Sequence, residues 1–154
     1  MNIIIVSLVK LMPKKLVHVF AKKYIAGERL EDGVSTVRRL NEKGICATLD
    51  VLGESVHSKE EAIRAKNECL KVLDAIESNN LDSNLSVKPT QLGLLIDEKF
   101  CYDQFKEVVE VAGEYKNIIR IDMEDSSVTD KIIDLYSRLK KDHDNVRIVL
   151  QSYL

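Results

Sequence analysis

Apolar residues in this chain gather in four short runs, and each run stops on polar side chains at its C-terminal end. Residues 45–51 run into Asp50 and Glu54, residues 85–87 into Lys88, residues 118–121 into Asp122 and Glu124, and residues 146–150 into Gln151. Between the runs the apolar positions change to helical spacing. Runs that are apolar throughout and separated by helices predict a parallel sheet covered on both faces. In such sheets ligands sit at the carboxyl ends of the strands, where these polar residues stand.

The helical stretches have their own signals. Pro13 precedes residues 14–24, where Leu16, Val17, Phe20 and Tyr24 recur at helical spacing, and Ala26-Gly27 ends that stretch. Leu30, Val34, Val37 and Leu40 mark a second helix face, closed by Lys43-Gly44. Ser58 with Glu61 three residues later is a capping-box signature for a helix reaching Ser78, with Ala62, Ile63, Cys69, Leu70, Leu73 and Ile76 on its apolar face. The polar residues 79–84 read as a loop, and Pro89 biases Lys88 toward an extended conformation. Phe105, Val108, Val109 and Ala112 carry the next helix, and Ile132, Ile133, Leu135, Tyr136 and Leu139 the one after Thr129. The order is helix, helix, three β-α units and a final strand. It reads as one domain, with N-terminal helices over residues 1–44 and strands with intervening helices over 45–154.

An open doubly wound sheet and a β/α barrel share these signals. The open sheet normally carries a glycine-rich phosphate loop after its first strand. Here Leu52-Gly53-Glu54 follows, and neither GxGxxG nor GxxxxGK[ST] occurs anywhere. Charged residues at every strand end suit a barrel, whose β-α loops all face one mouth. The expected fold is α/β, a partial (β/α)8 TIM barrel of about four parallel strands with helices. Four strands make half of such a barrel and leave two apolar edges, so the chain reads as a fragment or as one of two pairing copies.

Composition narrows the function classes. With 154 residues, 45% hydrophobic and 31% charged, the chain is long enough for a sizeable core. A net charge of −2 supplies no basic footprint, so no nucleic-acid partner is expected. Cys46, Cys69 and Cys101 show no CxxC spacing and fit a reducing, cytoplasmic compartment, Cys46 as a small buried hydrophobe in the first strand. His18, His57 and His143 lie far apart, and no metal site is expected. The opening MNIIIVSLVKLM is broken by Lys10 and too short to span a bilayer. It reads as a segment packed on the domain, with peripheral membrane contact as the sharper alternative.

If the strands are parallel neighbours, Asp50, Glu54, Lys88, Asp122, Glu124 and Gln151 converge. A lysine and an aspartate facing one cavity can hold a zwitterion, whereas the plain alternative is a structural ion-pair network. A Schiff-base lysine of the aldolase kind is a further alternative for Lys88 and requires a depressed pKa. Spacing alone does not name a substrate.

The motifs carry more. Ala26-Gly27-Glu28, residues 49–54 (LDVLGE), residues 86–93 (SVKPTQLG), residues 121–124 (IDME) and residues 149–154 (LQSYL preceded by Val149) occur in one order. Together, over about residues 20–154, they resemble the flavin-dependent proline dehydrogenases. The resemblance implies a β/α barrel that binds FAD and oxidises L-proline to Δ1-pyrroline-5-carboxylate, with a membrane quinone as electron acceptor. It implies that Lys88, in the K-x-[ST]-x-LG motif, faces the substrate carboxylate and flavin. It also implies that Asp122 of D-M-E lies by the substrate as the catalytic residue, that Met123 lines the flavin, and that Gln151 contacts it. Asp50 and Glu54 take supporting places. The second half of the family's barrel has no counterpart in the sequence, including an arginine that contacts flavin and an arginine pair that clamps the carboxylate. One lysine does not reproduce a bidentate arginine clamp, so the chain alone is expected to be inactive. The competing class is a binding or scaffold domain in which half-barrels pair as a homo-oligomer.

Overall fold

The computed structural model describes residues 26–27, 29–53 and 55–152. The helix expected over residues 14–24, the N-terminal segment before it, and Glu54 lie outside the described residues.

The element order is α1 (Leu30–Asn41), β1 (Ala47–Asp50), α2 (Lys59–Ser78), β2 (Ser83–Val87), a short 3-10 turn (Pro89–Leu92), α3 (Glu98–Glu114), β3 (Ile119–Ile121), α4 (Thr129–Asp142) and β4 (Val146–Ile148). Local chemistry sets the boundaries. Gly44, at φ 72, lies just past α1 in a conformation that glycine adopts without steric cost. Ser58 Oγ accepts from the Glu61 amide to start α2, while the Glu61 carboxylate accepts from the His57 amide. Asp97 caps α3 by accepting from the Phe100 amide at 3.0 Å. Gly93 closes the turn at φ 93, and a Cβ there would lie 3.1 Å from the Phe100 ring.

The four strands pair in the order β1-β2-β3-β4, all parallel. Each strand neighbours the next in sequence, and right-handed crossovers then place every connecting helix on the same face. That is the way a β/α barrel is wound. A doubly wound sheet reverses its strand order and carries helices on both faces. The barrel expectation is borne out, as a four-stranded arc.

One expectation fails. The strands are not apolar throughout, and helices cover one face only among the described residues. Leu85, Val87, Ile119, Ile121 and Val146 are fully buried toward the helices. Alternate positions carry Thr48, Asn84 and Arg120, and the Asn84 side-chain Oδ1 accepts from the Thr48 hydroxyl at 3.0 Å and from Arg120 Nε at 2.8 Å. This polar layer crosses three strands, because parallel registry aligns Thr48 with Asn84 and places Arg120 opposite Ser86. The strands therefore alternate like any sheet whose two faces differ.

Two strand boundaries differ from those expected. The first sheet bond of β1 is made by the Ala47 amide to Asp82 O at 3.1 Å, so Ile45 and Cys46 precede the sheet. Ile45 is 49% exposed, and Cys46 is exposed rather than the buried strand residue expected of it. At β2 the polar Ser83 and Asn84, read as loop, begin the strand because their partners are sheet backbone and the polar layer. In α2 Val72 joins the buried stripe, whereas Ile63, expected on it, is 41% exposed. The core under the sheet is one cluster that includes Leu73, Phe105, Val108, Ile132 and Leu139.

Candidate functional site

The sheet delivers its polar strand ends to one rim. Lys88 follows β2 in an extended conformation (φ −89, ψ 125), as a residue before proline must, and Pro89 opens the turn behind it. Its ammonium lies 2.7 Å from Asp50 Oδ2, at the end of β1, and 3.8 Å from Asp122 Oδ2, just past β3. Asp122 is held twice to β2: its amide donates to Val87 O at 3.0 Å, and its Oδ1 accepts from the Ser86 hydroxyl. Three strands thus contribute one cation and two anions.

These groups remain partly open to solvent, with 22%, 33% and 25% of the Lys88, Asp50 and Asp122 side chains exposed. Partial burial works to lower the Lys88 pKa. The hydrogen bond that Lys88 donates to Asp50 and the fields of Asp50, Asp122 and Glu124 outweigh it, so the pKa lies above the ordinary lysine value. A Schiff-base nucleophile needs the opposite shift, so the aldolase alternative finds no support here.

Glu124 has a distinct task. Its Oε2 accepts from the Thr90 amide at 2.9 Å and its Oε1 from the Thr90 hydroxyl at 2.5 Å. The Thr90 hydroxyl in turn accepts from the Ser55 amide at 3.0 Å. Gln91 reaches the same loop, donating from Nε2 to Val51 O at 3.0 Å, while its buried Oε1 has no hydrogen-bond partner among the described residues. Ser86, Thr90 and Gln91 were missed as separate residues by sequence reasoning, although they stand beside Lys88 in the same SVKPTQLG stretch. Their place in that stretch was the signal available, since their burial and partners show only in the fold.

Gln151 comes to the end of β3, where its Nε2 donates to Met123 O at 3.2 Å. The Met123 side chain is 5% exposed, so little of it faces the open rim. Lys88, Thr90, Leu95, Met123, Glu124 and Val128 border a cavity of about 360 Å3. Lys88, Asp122, Glu124, Met123 and Gln151 are therefore brought together, Asp50 joins them as the nearest partner of Lys88, and Glu54 is outside the described residues. A cation and an anion a few ångströms apart, both reachable from solvent, suit a small zwitterion.

Residues 33–154 match the family model for proline dehydrogenase. The chain is 38% identical over 134 residues to proline dehydrogenase 1 of Bacillus subtilis subsp. natto, covering 87% of this chain and 44% of that protein. It is 36% identical over 136 residues to proline dehydrogenase 2 of Bacillus subtilis (strain 168), covering 88% and 45%. It is 28% identical over 139 residues to the proline dehydrogenase of Deinococcus radiodurans, covering 87% and 45%. The chain spans less than half the length of these relatives. Among solved structures it resembles proline utilization A from Bdellovibrio bacteriovorus inactivated by N-propargylglycine. That match has a TM-score of 0.82 and 22% identity, over 92% of this chain and 18% of that one, and supports the fold.

Proposed function

Since this chain belongs to the proline dehydrogenase family, we propose that its strand ends form part of the site of an enzyme that oxidises L-proline to Δ1-pyrroline-5-carboxylate with FAD. The observation that carries the reading is the placement of Lys88 between Asp50 and Asp122 on the open rim.

Proline is a zwitterion, and the rim offers a complement to each charge. Lys88 supplies a cation for the carboxylate, and the upward shift of its pKa keeps it charged at neutral pH. Asp122 supplies an anion on the amine side. Its Oδ1 is engaged by Ser86, so Oδ2 is the oxygen left to hold or take a proton from the substrate nitrogen. Asp50 steadies Lys88 when no carboxylate is present.

The donor set also fits a flavin. Gln151 is tied to Met123 through its amide nitrogen, and among the described residues no protein group donates to its carboxamide oxygen. Gln151, the Met123 backbone and Lys88 are the groups of this chain that would hold the cofactor. When bound, FAD supplies the two-electron oxidation, taking hydride from the ring carbon beside the proline nitrogen. The reading extends, on the family resemblance, to a quinone as electron acceptor and to work on the cytoplasmic side of a membrane. No helix among the described residues is long and apolar enough to cross one.

The test places the matched 134-residue segment in proline dehydrogenase 1 of Bacillus subtilis subsp. natto, in exchange for that protein's own. Proline-dependent reduction of a quinone analogue should persist and should fall at least tenfold with Asp122→Ala. Full activity of the Asp122→Ala protein would remove Asp122 from the chemistry.

A further inference from the structure

The geometry points to Thr90 and Glu124 as a positioning clip that sets the spacing between Lys88 and Asp122. The inference rests on the reading of those two residues as the substrate-facing pair. It concerns residues to which that reading gives no role.

The regular ladder between β2 and β3 ends at the pair Val87–Ile121. The next contact is the Asp122 amide on Val87 O at 3.0 Å. Two residues beyond Asp122, Glu124 takes both the amide and the hydroxyl of Thr90, itself three residues beyond Val87, at 2.9 and 2.5 Å. Lys88 therefore lies between two cross-strand ties, and Asp122 makes the first of them through its own amide. Neither backbone can slide past the other without breaking a tie, so the main chains that carry Lys88 and Asp122, whose charged groups stand 3.8 Å apart, are held in register.

The clip is built as a buried part rather than a surface contact. Thr90 is 4% exposed, and its hydroxyl uses both capacities, donating to Glu124 and accepting from the Ser55 amide. That second bond draws in the loop after β1, the strand that ends on Asp50. One hydroxyl thus links the loops that follow all three strands contributing a charge to the rim. Charge-assisted bonds to a carboxylate are short and strong, which suits a part whose task is to hold a distance. A displacement near an ångström is enough to cost a substrate-positioning group much of its effect.

The test uses Thr90→Val, which keeps the shape and removes the hydroxyl, and Thr90→Ser, which restores it. Two readouts are taken: the side-chain NMR titration of Lys88 in the chain itself, and KM and kcat for proline in the grafted enzyme. Thr90→Val should move the Lys88 titration and raise KM about tenfold with a smaller change in kcat, while Thr90→Ser returns both toward the parent. Should Thr90→Val not fold, Thr90→Ala, which also lacks the hydroxyl and leaves the Glu124 charge in place, carries the same comparison. A parent-like Lys88 titration and KM in a folded variant would overturn the inference. A grafted parent that ignores proline would instead count against the proposed function, and the Lys88 titration would still decide on the clip.

Discussion

Asp50 Oδ2 accepts a 2.7 Å hydrogen bond from Lys88 Nζ, so the acid closing β1 is the nearest partner of the cation following β2. Asp122 stands farther off, at 3.8 Å. The cation is thus parked against one strand while the second carboxylate, fixed by Ser86, is left less engaged. Such an arrangement lets an incoming carboxylate take over a lysine that is already charged and aimed.

The Asp50–Lys88 pair is partly exposed, and pairs of that kind contribute about 0–1 kcal/mol. Asp50→Asn should therefore shift the urea midpoint by an amount worth ~1 kcal/mol or less. A much larger loss would mean that Asp50 supports the fold and not only the lysine.

Lys88→Met removes the cation and keeps most of the stem. A hydrogen bond to a charged group is worth about 1.5–3 kcal/mol, so KM for proline in the grafted enzyme should rise by roughly one to two powers of ten. Steady-state kinetics over a wide proline range separates this from a loss in kcat.

The upward shift of Lys88 sets a pH dependence. A raised folded-state pKa contributes stability that is fully present below the unfolded value of about 10.4 and is lost as pH rises through the folded value. Lys99 and Tyr115 also shift upward, through hydrogen bonds with Asp103 and Asp74, so the parent alone does not isolate Lys88. Urea midpoints of parent and Lys88→Met should therefore converge between about pH 9 and about pH 11, on either side of the lysine reference, the parent losing the more.

Helix α2 depends on its first turn. Ser58 Oγ receives the Glu61 amide at 3.2 Å, and Ser58→Ala should cost about 1 kcal/mol in chemical denaturation. Ser58→Asp, which keeps an acceptor at a helix N-terminus, should recover most of it.

How much could be read from the sequence differs between helices and strands. The helices were legible because their periodicity and caps are local: Ser58 with Glu61, and Thr129 before Ile132, mark boundaries that the structure keeps. The strands were short, and three or four residues show little alternation. Asn84 therefore reads as loop and Arg120 as part of an apolar run, when both are members of a polar layer that only the registry reveals. Lys88 and Asp122 stood out by charge at strand ends. Thr90 did not, because its significance lies in a buried bond to Glu124 thirty-four positions away, for which the chain carries no local sign.

The most direct measurement is the visible absorbance of FAD in the grafted enzyme, kept free of oxygen and titrated with L-proline. If the strand ends of this chain complete a proline site, the flavin band bleaches on adding proline, and Lys88→Met shifts the bleaching to much higher proline. A folded graft that carries the parent's complement of FAD yet keeps its colour at saturating proline would contradict the account.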